Sequence, residues 1–84
     1  MAGRKPTIDD AVFLAVFVGA SRPVLTATEV GERVGMSQQG AHSRLNKLEE
    51  EGLLSSQKVG AKARVYWITA EGEEELWLWV SDRA

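Results

Sequence analysis

The sequence predicts a mainly α protein with one small β-hairpin, an α+β fold, and three observations carry the prediction. Two short segments, 27–34 and 38–51, each have a capping residue before them and a glycine after them. Past Gly52 the apolar period changes from that of helices to that of strands, in two runs parted by Gly60-Ala61-Lys62. The outer stretches on either side place acids ahead of apolar blocks, the order that suits a helix N-terminus.

The first helix is expected from Asp9-Asp10 through the apolar run 11–18, ending near Gly19 before the break at Ser21-Arg22-Pro23. Val12, Phe13, Leu14, Val16, Phe17 and Val18 cannot share one face, so one side must meet the core and another must meet something else. Thr26-Ala27-Thr28-Glu29 has the spacing of a capping box, with Leu25 and Val30 placed as a hydrophobic staple. The second helix is therefore short, 27–34. Gly31 in its middle costs about 1 kcal/mol against alanine, which argues for a closely crossing neighbour.

Gly35 stops that helix and Ser37 caps the next after a two-residue gap. In the third helix, 38–51, Ala41, Leu45 and Leu48 form the buried stripe at i, i+4 and i+7, while Gln39, Ser43 and Asn46 fall opposite, flanked by His42 and Lys47. Two capped helices joined by so short a turn make a helix-turn-helix. The runs 53–59 and 63–69 make the hairpin; Tyr66 and Ile68 face one way and Val65 and Trp67 the other. Thr69 can cap a last helix, 70–81, whose Glu71, Glu73, Glu74 and Glu75 sit at its positive end. Trp77 and Trp79 lie about 200° apart on that helix, so at least one must leave the core. The order is that of a winged helix-turn-helix: three helices, a two-stranded wing and a C-terminal helix.

With 84 residues, the chain is expected to form one domain, 7–84, behind a basic flexible leader, 1–6, that carries Arg4 and Lys5. A core this thin leaves little room for an enclosed active site. The absence of cysteine excludes disulfides and thiolate metal sites. His42, the only histidine, has no second ligand, and no serine or threonine has a base and an orienting group beside it; no metal, cofactor or catalytic residue is expected. No apolar run approaches the roughly 18 residues of a membrane span, so a soluble, cytoplasmic protein is expected, and no small-molecule ligand is evident.

The net charge of -2, taken as a total, disfavours a polyanionic partner, but position reverses that. Residues 33–48 carry Arg33, Arg44 and Lys47 without an acid, and residues 52–70 carry Lys58, Lys62 and Arg64 without one. The acids gather at 9–10, 29–32, 49–51 and 71–75. Folded together, the two basic stretches present a positive face to nucleic acid. Side chains that both donate and accept, such as Gln38, Gln39, His42, Ser43 and Asn46, suit base edges in a major groove that admits one helix. Ser37, Arg44 and Lys47, with Lys58, Lys62 and Arg64 of the wing (55–68), suit phosphates or an adjacent minor groove.

The stretch TATEVGERVGMSQQGAHSRLNKLEEEGLL followed by RVYWITAEG, from about residue 25 to 72, resembles winged-helix transcription regulators of the MarR and ArsR type, above all small haloarchaeal phage-repressor-like ones. A departure falls at Gly40, where the recognition helix presents no side chain. The resemblance implies a double-stranded DNA-binding regulator, with base readout on Gln38, Gln39, His42 and Ser43, and terminal helices that pair two subunits. A homodimer is expected through Phe13, Phe17, Trp77 and Trp79, with Leu14 or Val18 as substitutes, reading half-sites about one helical turn apart. With no effector or activation domain in view, repression by promoter occlusion is expected. A winged helix can also be a protein-interaction module, and the run 49–51 with exposed tryptophans would suit one. Such a module has no need to keep its recognition helix and wing free of acids.

Overall fold

The computed structural model describes residues 8–83, and the leader expected at 1–6 lies outside the described residues. The elements run α1 (Ile8–Gly19), β1 (Leu25–Thr26), α2 (Ala27–Val34), α3 (Gln38–Glu50), β2 (Leu54–Val59), β3 (Ala63–Ile68) and α4 (Ala70–Arg83). This is the α+β winged helix-turn-helix that the sequence predicts. Among the described residues no helix is long and apolar enough to cross a membrane.

The capping box forms as read. Glu29 N–H donates to Thr26 Oγ1 at 3.2 Å and Thr26 N–H donates to Glu29 Oε1 at 2.8 Å, while Arg22 pairs with the same carboxylate. Gly35 closes α2 at φ 74°, a left-handed conformation that favours glycine, and Ser37 Oγ accepts from Gly40 N–H at 3.1 Å to open α3. Gly31 has the close neighbour expected of it, since a Cβ there would lie 2.8 Å from the Met36 carbonyl oxygen. Without that glycine the two-residue turn could not fold back so tightly.

Leu14, Leu25, Val30, Leu45, Leu48, Leu54 and Tyr66 are fully buried and form one core beneath the three-stranded antiparallel sheet and the helices. The sheet order is β1-β3-β2, with Leu25 opposite Tyr66 and Lys58 opposite Arg64. The sequence predicts only two strands. The extra one, β1, is two residues long and leads straight into the cap of α2, so local pattern reads it as a staple.

At α4, Thr69 Oγ1 accepts from Gly72 N–H at 3.0 Å and donates to the Gly52 carbonyl at 2.7 Å. A Cβ on Gly72 would come within 2.1 Å of the Leu53 carbonyl oxygen, so the helix crosses the exit from α3 at a distance only glycine permits.

The expected division of α1 into two faces holds, but the residues sort differently from the interface expected. Phe13, Phe17 and Leu14 lie in the core, and Val12 and Val18 are exposed. The correction has a simple cause: positions 13, 14 and 17 share the inner stripe of α1, where α2, α4 and β3 cover them. On α4, Trp77 is 69% exposed and Trp79 is half-buried.

Candidate nucleic-acid interface

The third helix buries Ala41, Leu45 and Leu48, which turns Gln39, Ser43 and Lys47 outward. Gln38 and His42 are also exposed, on the edge of α3 nearest the wing. There they line a cleft with Thr26, Thr28, Lys62, Arg64 and Tyr66. The fold thus gathers four predicted base-reading side chains, Gln38, Gln39, His42 and Ser43, on one exposed surface of the helix. It also brings the basic wing alongside. Thr28 at the first turn of α2 is a wall of this cleft that sequence reasoning does not single out.

Asn46 is exposed opposite the buried stripe, as predicted, and it is also bonded within the protein. Its Oδ1 accepts from the Tyr66 hydroxyl at 3.2 Å, and its Nδ2 lies 3.5 Å from His42 Nδ1 one turn earlier. It ties the recognition helix to β3 from an exposed position. Burial pushes the Tyr66 phenol above its usual range, Arg64 works against that and Glu49 reinforces it, so the hydroxyl stays a neutral donor at neutral pH.

A second tie lies further along the same edge. Ser56 Oγ sits 2.8 and 2.9 Å from the two carboxylate oxygens of Glu49, to which it donates, and it accepts from the Arg64 guanidinium at 2.8 Å. Glu49 therefore serves as an anchor of the wing. In the sequence it is one of three consecutive acids, with nothing to distinguish it. Lys58 and Lys62 are exposed beside Arg64 around the hairpin tip.

Arg44 is the clearest departure. Its guanidinium lies 3.4 Å from the Asp10 carboxylate and 5.5 Å from the centroid of the Phe13 ring. It is directed at α1, on the flank of α3 away from the wing, with its side chain one-third exposed. Ser37 is occupied as a cap but remains exposed. The missing side chain at Gly40 also has a local reason: a Cβ there would press to 3.0 Å from Met36 Cγ and 3.2 Å from Ser37 Oγ, both in the turn.

A MarR family model matches residues 9–64. Solved structures agree in fold. The PcaV transcriptional regulator of Streptomyces coelicolor, in complex with its natural ligand, aligns at TM-score 0.75 and 24% identity over 90% of this chain and 54% of its own. BpsR of Bordetella bronchiseptica, whose DNA binding is regulated by 6-hydroxynicotinic acid, aligns at TM-score 0.81 and 16% identity over 96% of this chain and 61% of its own. MepR, a transcription regulator of the Staphylococcus aureus multidrug efflux pump MepA, aligns at TM-score 0.78 and 15% identity over 89% and 56%. The chain thus spans roughly half to three-fifths of these regulators' length. No curated protein matches it in sequence. With the family model spanning the helix-turn-helix and most of the wing, this chain belongs to the MarR family of winged-helix transcription regulators.

Proposed function

We propose that the protein binds double-stranded DNA in a sequence-specific manner and represses transcription as a homodimer. One observation carries this reading: the outward surface of α3 is polar and acid-free over its first three turns, and a wing bearing Lys58, Lys62 and Arg64 stands beside it. In this reading α3 enters the major groove. Gln38, Gln39, His42 and Ser43 meet base edges, while Asn46 holds the helix to the wing. Ser37, Lys47, Lys58, Lys62 and Arg64 meet the backbone or an adjacent minor groove.

Dimerisation is supported by the apolar surface left open on the terminal helices. Val18 and Trp77 line one shallow depression, and Leu78 and Val80 continue the exposed surface along α4. A second copy covering these groups would remove apolar area from water and set two recognition helices about one helical turn apart. Residues 7–84 then act as one domain in the cytoplasm, and occupancy of a promoter excludes the polymerase. We further infer kinship with small haloarchaeal phage-repressor-like regulators, a reading that goes with repression.

Selection of bound duplexes from a random pool tests the reading. The expected result is one motif with two-fold symmetry. Gln39→Ala with Ser43→Ala should then flatten sequence preference, whereas Lys58→Ala with Lys62→Ala should weaken every duplex and lower the salt slope by about 0.9 for each phosphate no longer neutralised. Equal affinity of wild type and variants for all duplexes would end the proposal.

A further inference from the structure

Asp10 is 5% exposed, the one charged group in the core among the described residues. A carboxylate drawn that far from water is costly unless a cation meets it. Arg44 meets it, 3.4 Å away and itself reaching in from the middle of the recognition helix. Phe13 stands one turn beyond Asp10 on the same helix, and its ring lies 5.5 Å from the Arg44 guanidinium carbon. Asp10 and Phe13 therefore make one seat, a carboxylate beside an aromatic face, that suits the planar Arg44 guanidinium.

The seat gains meaning from what holds the other flank of α3. There Asn46 is tied to Tyr66, and Glu49 to Ser56. Polar ties on opposite flanks restrain rotation of a helix about its own axis and add direction to the packing of the apolar stripe of Ala41, Leu45 and Leu48. Side chains reach about 5–6 Å from a helix axis, so a rotation of about 20° carries the tips of Gln39 and Ser43 through about 2 Å. That displacement exceeds the range over which a hydrogen bond to a base edge survives.

We infer that Asp10 and Arg44 are a positioning pair: they set the rotation of α3, and through it the sequence preference of the protein, without touching DNA. The inference rests on the DNA-binding reading above and assigns Arg44 a role different from that of a phosphate contact.

The test uses the full chain, a duplex chosen by selection from the random pool, and a scrambled duplex of equal length, each titrated across a salt series. Asp10→Asn should weaken binding about tenfold on the selected duplex and little on the scrambled one, with an unchanged salt slope. Arg44→Gln should do the same, and the double variant should be no worse than the weaker single one. Both duplexes draw on the same folded fraction, so the ratio of affinities is insensitive to a loss of stability. Should Asp10→Asn not fold, the more exposed Arg44→Gln decides. A wild-type ratio in the variants overturns the inference, as does an Arg44→Gln loss that is equal on both duplexes with a salt slope reduced by about 0.9. A wild type that prefers no duplex would overturn the DNA-binding reading itself, and this inference with it.

Discussion

Helices α1 and α4 carry the two most apolar blocks of the chain, at 12–18 and 76–80, yet they meet opposite fates. The first buries Phe13, Leu14 and Phe17 and exposes Val12 and Val18; the second leaves Trp77, Leu78 and Val80 at the surface. Hydropathy does not separate them. Coverage does: α1 is packed by α2, β3 and α4, whereas the main contacts of α4 with other elements are to α1 and β3. Burial of an apolar side chain is decided by how many elements converge on its helix, and an end helix has fewer to call on.

The contrast can be broken by substitution, beginning where the effect is largest. Leu14→Ala on α1 should cost about 3–5 kcal/mol of protomer stability in chemical denaturation, because it opens a cavity at a fully buried site. A cost below about 1 kcal/mol would mean that α1 is not the central core helix. Gly72→Ala probes the tight crossing of α4 over Leu53. The added methyl would meet the Leu53 carbonyl and push the helix away, at about 1–3 kcal/mol by thermal melting, against the slight gain expected of alanine in an open helix. Trp77→Ala should be the mildest for the protomer, within about 0.5 kcal/mol under dilute conditions. The same change should abolish any concentration dependence of the melting temperature, and a loss of several kcal/mol from the isolated protomer would place Trp77 in the core instead.

Much of the fold is legible because its signals are local. Thr26 with Glu29, Gly35, Ser37, Gly52 and Thr69 punctuate the helices through contacts three to five residues apart, and a sequence displays such spacings directly. The stripe of Ala41, Leu45 and Leu48 is legible for the same reason. Phe13 and Phe17 read as interface residues because a helix apolar on most sides does not declare which side is inward. The roles of Arg44, Asn46 and Glu49 are hidden more deeply. Each is a polar residue on an exposed-looking helix, and its partner, Asp10, Tyr66 or Ser56, is chosen by the crossing of elements that lie well apart in the chain or past a glycine break. Polar pattern alone separates the outward surface of α3 from its inward stripe, but not the outward surface from the two flanks.

The short strand β1 has a consequence beyond closing the sheet. It precedes α2, whereas its partner β3 follows α3 and β2, so the helix-turn-helix is enclosed between two strands that pair with each other. The hairpin pairs neighbouring residues, whereas Leu25 and Tyr66 pair across both helices of the helix-turn-helix. Loosening either end of that span breaks the pairing for the other. The span from β1 to β3 is thereby expected to open to hydrogen exchange as a whole, instead of fraying from the wing inward.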